Sequence, residues 1–77
     1  MSSPHTPITV QMAEGRPCAL HWKGRRVPVD AIADYWVLEG RWWQGRTRRT
    51  YLRLVTPAGT LEVYRTAGIW HLSRVLD

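Results

Sequence analysis

The chain has 77 residues, which is enough for one domain and too few for two separate cores. Five Trp and three Tyr supply the bulky apolar surface that a core this small needs, and a single cysteine excludes an intrachain disulfide. The 11 basic and 6 acidic residues give a net charge of +5, which favours an anionic partner such as nucleic acid or an acidic protein.

Residues 1–7 contain two serines, two prolines and a histidine, a composition that predicts a disordered lead. They show no basic region followed by an apolar run, so we expect no signal peptide. The lone cysteine favours a reducing compartment, and no stretch approaches the roughly 20 apolar residues of a membrane span. We therefore expect a single β-domain over 8–77 in a cytoplasmic protein without membrane contact.

Alternating apolar and polar residues predict strands in the first third of the chain. Residues 8–12 form either a short edge strand or an ordered tail, while 18–22 and 25–29 form a hairpin around a turn at Lys23-Gly24. Pro28 cannot donate to a strand ladder, so it belongs on an edge strand or at a bulge.

Residues 29–38 fit two kinds of secondary structure. Val29, Ile32 and Trp36 recur at helical spacing, whereas the cluster Tyr35-Trp36-Val37 is typical of a strand. We favour a long bent strand here and keep a short helix over 29–38 as the alternative.

The last third of the chain predicts an antiparallel meander. Residues 50–56, 61–65 and 69–76 are rich in apolar and β-branched residues and are joined by two short turns. Four to five strands with little helix predict a mainly β fold, either a small curved antiparallel sheet or a partly closed barrel of SH3-like or OB-like size. Leu52 and Leu54 lie on the face opposite Tyr51, which indicates partial closure or a surface covered by a partner.

The basic aromatic segment 41–49 carries the strongest functional signal. It holds four of the ten arginines and two of the five tryptophans, and it lacks acidic residues. Guanidinium groups beside indole rings suit contact with phosphates and stacking on bases. The alternative is that the rings belong to the core, which we favour for the tryptophans, and that the arginines form a solvated surface. The candidate nucleic-acid contacts are Arg41, Arg46, Arg48 and Arg49, a stacking residue at Trp42 or Trp43, and Lys23, Arg25 and Arg26 in support if the two loops share one end of the sheet.

Other chemistry lacks a recognisable motif. Cys18 and His21 are three residues apart, which directs them to opposite faces of a strand, and no paired spacing of a structural zinc site is present. The sequence shows neither a nucleophile elbow nor a glycine-rich phosphate loop. We expect a protein that is not an enzyme, with no catalytic residues, no metal and no cofactor.

Several segments resemble a family of small uncharacterised proteins from actinobacteria and Deinococcus-type bacteria. The resemblance covers roughly Pro17 to Asp77 and rests on a W-x-G-R turn, a W-W pair and a closing W-x-L-x-R-V-x-D, found here at 22–25, 42–43 and 70–77. Leu76 stands where that family often has an aromatic residue. Related segments occur beside or fused to inactive Y-family polymerase-like proteins of mutagenic repair. The resemblance therefore implies an accessory role in DNA-damage tolerance and a polymerase-like protein partner, without binding residues to transfer.

Together these features predict a small basic β-domain that binds nucleic acid or acts as a DNA-repair accessory module. The alternative is a protein–protein interaction module without direct nucleic-acid contact, which would use an exposed strand edge or an aromatic patch.

Overall fold

The structure is a computed structural model that describes the backbone of residues 6–42 and 45–76 and the side chains of 7–40 and 48–76. The described residues form seven antiparallel strands and no helix. The mainly β prediction is therefore confirmed. The strands are β1 (Thr6–Ala13), β2 (Arg16–Trp22), β3 (Arg25–Pro28), β4 (Ala31–Trp42), β5 (Gly45–Thr56), β6 (Gly59–Thr66) and β7 (Ile69–Leu76).

All seven strands belong to one sheet, which curls into a half-barrel with the order β3-β2-β1-β7-β6-β5-β4. The predicted number of four to five strands was wrong. One reason is that β1 pairs with both β2 and β7, so it is a central strand rather than an edge or a tail. It begins at Thr6, inside the predicted lead, and residues 1–5 lie outside the described part of the chain.

The second correction concerns residues 29–38, where the helical alternative was wrong. β4 pairs with β5 along its whole length, so its backbone hydrogen bonds run across the sheet instead of along a helix. A bulge between Ile32 and Asp34 shifts the alternation by one residue. Ile32 packs against the core as a result, whereas Trp36 lies on the opposite face, although their spacing is helical.

A bend between β3 and β4 curls the sheet. The N–H of Val29 donates to the Cys18 carbonyl on β2 at 2.9 Å, and the N–H of Asp30 donates to the Val55 carbonyl on β5 at 2.8 Å. Successive N–H groups of an extended chain point in opposite directions, so this segment lies between β2 and β5, each of which is next to an end of the sheet order. Strand β4 covers residues 31–38 of the predicted bent strand, whereas Val29 and Asp30 lie between β3 and β4.

The core lies on the concave side of the half-barrel. Each large side chain buried there stabilises the fold by roughly 1.5–3 kcal/mol. Partly buried apolar side chains pack against it, which is how a sheet without a helical layer covers its apolar face. They include Ile8 and Val10 of β1, Trp22 of β2, and Trp70 and Leu72 of β7. The buried cluster consists of Leu20, Val27, Leu52, Leu54, Leu61 and Val63.

Three of the hairpins turn on two residues, both with positive φ. Glu14-Gly15, Lys23-Gly24 and Ala67-Gly68 have φ values of 52° and 78°, 54° and 74°, and 52° and 77°. These angles match the type I′ turn, whose twist suits antiparallel strands. Because neighbouring strands alternate in direction, the β1–β2 and β6–β7 turns share one end of the sheet with Trp42 and Gly45, here called the upper end. The β2–β3 and β5–β6 turns lie at the lower end.

Candidate functional site

The convex face carries a row of four aromatic rings, one from each of β4, β5, β6 and β7. Trp36 stacks on Tyr51 with ring centroids 5.3 Å apart, Tyr51 contacts Tyr64 at 5.2 Å, and Tyr64 stacks on His71 at 4.9 Å. Each contact joins directly opposed residues of neighbouring strands. Tyr51 and Tyr64 are buried, so these two rings stabilise the sheet and are not open to a ligand.

Arg49 covers part of this aromatic row. Its guanidinium carbon lies 4.8 Å from the Tyr64 ring centroid, and its Nη1 donates a hydrogen bond to the Tyr51 hydroxyl at 3.3 Å. That hydrogen bond raises the pKa of Arg49 above its ordinary value, so the guanidinium remains charged. Arg49 therefore makes intramolecular contacts that stabilise the convex face.

A row of charged residues runs beside the aromatic row. Glu62, whose side chain is only 7% exposed, lies 3.5 Å from Arg53 Nε and 3.4 Å from Arg74 Nε, and it accepts a hydrogen bond from the Ser73 hydroxyl at 3.0 Å. Arg53 also reaches Asp34 at 3.9 Å and lies over the Trp36 ring. These carboxylates neutralise the two arginines, which leaves them poorly suited to bind an external anion.

The concave face opens at its upper end into a cavity of about 500 Å³, here called the mouth. Its walls come from the β1–β2 hairpin, from β4, β5 and β6, and from the β6–β7 turn with the start of β7. The hydrophobic core forms the floor of the mouth, because Leu52 belongs to the core and also lines the cavity. The lining residues are Met12, Gly15, Pro17, Tyr35, Arg48, Thr50, Leu52, Arg65, Thr66, Ala67, Gly68 and Trp70.

Two arginines give the mouth its positive charge. Arg48 and Arg65 are both exposed and lie on the adjacent strands β5 and β6. Within the described residues the ion pairs involve Arg53 and Arg74, and neither arginine of the mouth takes part. Glu39 occupies the β4 position directly opposite Arg48, where it reduces the local positive potential.

Aromatic rings line the same cavity. Tyr35 is 61% exposed, more than the other exposed bulky hydrophobic residues in the described part of the chain, and Trp70 is half-buried. Tyr35 faces the mouth because it opposes Leu52 of β5, whose side chain belongs to the core. The backbone N–H of Tyr35 bonds to the Asp34 carboxylate at 2.8 Å. The mouth thus combines an open ring with cationic groups.

Two of the predicted binding residues fall on opposite faces of one strand. Arg48 lies in the mouth, whereas Arg49 packs on the convex face, because neighbouring residues of a strand alternate sides. Strand β5 begins at Gly45, so both arginines belong to a strand that extends five residues beyond the predicted start at Thr50.

The supporting basic residues lie at the lower end of the sheet, away from the mouth. Lys23 Nζ is 4.7 Å from the Trp22 ring centroid, and Arg26 Nε donates to the Gln11 side chain at 3.0 Å. Arg25 begins β3 beside them. The two loops do not share one end of the sheet, so these three residues do not extend the surface formed by Arg48.

Four predicted residues fall wholly or partly outside the described part of the chain. Arg41 and Arg46 occupy opposed register positions at the upper end, but their side chains lie outside it. The side chain of Trp42 and the whole of Trp43 also lie outside.

Three residues of the mouth, Arg65, Tyr35 and Trp70, were not among the binding residues predicted from the sequence. Arg65 and Trp70 are opposed across the β6–β7 hairpin, and alternation along the predicted meander could have put them on the face of Leu52 and Leu54. Tyr35 could not be placed that way, because the bulge before Asp34 changes which face it occupies.

Comparison with protein-family models, with curated proteins and with solved structures gave no match. The resemblance to the actinobacterial and Deinococcus-type family stays a prediction. In the described part of the chain, no three His, Cys, Asp or Glu side chains are grouped so that they could hold a metal ion. The same residues include no helix long and apolar enough to cross a membrane.

Proposed function

We propose that this protein is a non-enzymatic module that binds nucleic acid through its concave mouth. The observation that carries the proposal is the joint presence of Arg48, Arg65 and an exposed Tyr35 in one cavity. A positively charged groove with an accessible aromatic ring is the combination that nucleic-acid-binding β-sheets use.

The proposal depends on which arginines remain available. Arg49, Arg53 and Arg74 already contact rings or carboxylates on the convex face. Arg48 and Arg65 lie on adjacent strands and line an open cavity, so a phosphate can reach their guanidinium groups from solvent. Arginine binds phosphate oxygens through two parallel N–H groups, which makes these two residues suitable phosphate contacts.

A salt titration tests the proposal directly. Binding of labelled single-stranded and double-stranded DNA is measured over a range of salt concentrations for the native protein and for the double variant R48A/R65A. We expect affinity to fall steeply with salt, and we expect the double variant to lower the slope of log K against log salt by about 1.4 on a single strand. Absence of binding to either form at low salt would contradict the proposal.

The chain offers a matched control for net charge. The double variant R25A/R26A removes the same two charges from exposed positions at the lower end of the sheet. If the mouth is the binding surface, this control lowers the slope much less than R48A/R65A. Equal effects of both double variants would mean that binding follows net charge rather than a defined site.

A role as an accessory of DNA repair is the biological setting that we propose for this binding. It is supported by the family resemblance alone, which also names the partner class, a Y-family polymerase-like protein. Nucleic-acid binding and this setting are separable, because the first is tested with purified DNA and the second needs the partner protein.

The second candidate function is docking of a protein strand on β4. This strand is twelve residues long and ends the sheet order, and it exposes Tyr35 and Leu38. The Tyr35 N–H points away from β5, since it bonds to its neighbour's carboxylate, so the N–H of Val37 two residues on has the same direction. An edge of this kind can accept an added strand.

The docking function is tested with the variant Val37→Pro. Proline at 37 removes an outward N–H and leaves the pairing with β5 intact, so it blocks strand addition selectively. Titration with a purified Y-family polymerase-like protein should then give binding to the native chain and loss of binding to V37P. If V37P binds as well as the native chain, β4 is not the docking edge.

A further inference from the structure

The shape of the mouth favours single-stranded over double-stranded nucleic acid. A duplex presents its bases only as edges within grooves, and proteins read them by inserting a helix or a two-stranded ribbon. The described residues contain no helix, and the hairpins at the upper end of this sheet form the walls of a cavity. A convex duplex can touch only the rim of such a cavity.

The size and lining of the mouth suit an unstacked base. Cavities of roughly 300–1,000 Å³ enclose groups the size of small organic ligands, and the mouth, at about 500 Å³, lies within that range. Apolar side chains from Met12, Leu52 and Trp70 line it together with polar groups. Single strands can turn a base out of their stack, whereas a paired duplex has to break a base pair to do so.

Tyr35 is the ring best situated to receive that base. The convex-face rings Tyr51 and Tyr64 are buried against their neighbours, so their faces are already covered. Tyr35 is 61% exposed and lines the mouth. Its backbone pairs with Leu52 of β5, so the ring is presented by a strand of the sheet.

We infer that the mouth binds single-stranded nucleic acid, with one base stacked on Tyr35 and the adjoining phosphates contacted by Arg48 and Arg65. This inference rests on the proposed function and narrows it from nucleic acid in general to an unpaired strand. The shared chemistry is a flexible sugar-phosphate chain with exposed bases, which both DNA and RNA supply.

The test compares three probes: a labelled oligo-dT of about 16 nucleotides, at the upper end of known site sizes, the same length of oligo-U, and a blunt duplex. The native protein should bind both single strands more tightly than the duplex at every salt concentration. Tighter binding of oligo-dT or of oligo-U identifies DNA or RNA as the natural source of the strand, and either result supports the inference.

Variants of Tyr35 test the stacking contact itself. Stacking contributes roughly 1–3 kcal/mol per base, so Tyr35→Ala should weaken single-strand binding roughly 5- to 150-fold while the salt slope stays unchanged. Tyr35→Phe keeps the ring and should retain the affinity. Leu38→Ala is the matched control, because Leu38 is an exposed apolar residue of the same strand on the opposite face.

The outcomes separate this inference from the proposed function. If the duplex binds as tightly as the single strands, or if Y35A binds like the native protein, the inference is overturned while nucleic-acid binding stands. If none of the three probes binds at low salt, both fail. Circular dichroism of Y35A, compared with that of Y35F, confirms that a loss of affinity is not a loss of fold.

Discussion

The guanidinium of Arg49 lies over the ring of Tyr64, with its central carbon 4.8 Å from the ring centroid. The same guanidinium donates to the hydroxyl of Tyr51, which is the neighbouring ring in the convex row. The preceding residue, Arg48, lines the mouth on the other side of the sheet. Of these two consecutive arginines, Arg49 stabilises the convex face and Arg48 lines the mouth. Single substitutions should therefore affect stability in one case and binding in the other.

Arg49→Ala should destabilise the fold without abolishing binding. It removes a cation–π contact and a hydrogen bond from a half-buried position, so we expect a loss of about 1–2 kcal/mol in the free energy of unfolding, measured by urea denaturation. The raised pKa of Arg49 means that this contribution is complete below the unfolded-state pKa and is lost only as pH rises through the folded-state pKa. The loss caused by R49A should therefore be constant through neutral pH.

Arg48→Ala removes the same charge as Arg49→Ala, but it should weaken binding and leave the stability of the fold almost unchanged. Arg48 is exposed in the mouth, so its removal should change the free energy of unfolding by less than about 0.5 kcal/mol and lower the salt slope of single-strand binding by about 0.7. If the two variants have interchanged effects, the assignment of the arginines to the two faces is wrong.

Glu62→Ala should be among the more destabilising polar substitutions in this chain. Glu62 is a buried carboxylate that holds Arg53, Arg74 and the Ser73 hydroxyl, and its loss leaves all three without their shared acceptor. Breaking a fully buried pair costs about 3–5 kcal/mol. Solvent screens the two partly exposed arginines, so we expect about 1–3 kcal/mol here.

Urea denaturation measures that loss, and two further variants interpret it. Glu62→Gln keeps hydrogen-bonding capacity and should cost less than Glu62→Ala. Asp34→Asn removes a carboxylate that is exposed and 3.9 Å from Arg53, so it should cost little. Equal losses for Glu62→Ala and Asp34→Asn would show that burial does not govern the strength of this charged row.

The sequence predicted the regular part of the fold because the physics there is local. The hairpin at 18–29 and the meander of the last three strands follow from alternation and from X-Gly turns. The closure of the sheet is not local. It depends on Val29 and Asp30 bonding to β2 and β5, which are distant in sequence. The number of strands was underestimated for a similar reason, because β1 becomes a central strand by pairing with β7 at the other end of the chain.

The candidate site likewise combines features that are visible in the local sequence with features that depend on distant strand pairing. A basic aromatic segment was visible in the sequence, yet residue type alone could not separate Arg48 from Arg49. The separation depends on which face of β5 carries the core residues Leu52 and Leu54. Arg65 enters the mouth through the β5–β6 pairing. Tyr35 enters through a bulge that no sequence period reveals.

Ala67→Asn should stabilise the protein. Ala67 has φ of 52° in the β6–β7 turn, a left-handed conformation in which asparagine is much better tolerated than alanine. We expect a gain of about 0.5–1 kcal/mol, which corresponds to a rise in Tm of roughly 2–8 °C for a domain of this size. Ala58→Asn is the control, because Ala58 is a turn residue outside the positive-φ set. A similar rise for both variants would contradict the conformational explanation.

Glu39→Gln should increase the affinity for single-stranded nucleic acid. Glu39 is directly opposite Arg48 on β4, and cross-strand charges at this distance interact by about 0.2–1 kcal/mol, so its neutralisation should tighten binding roughly two- to fivefold at low salt. The gain should shrink as salt rises, because exposed charges are screened within about 10 Å at 0.1 M salt. Asp30→Asn is the matched control. It removes one exposed carboxylate nine positions earlier in the chain, roughly 30 Å away along an extended strand. A gain for Glu39→Gln that exceeds the gain for Asp30→Asn locates the binding surface beside Arg48, whereas equal gains would assign the effect to net charge and count against the mouth.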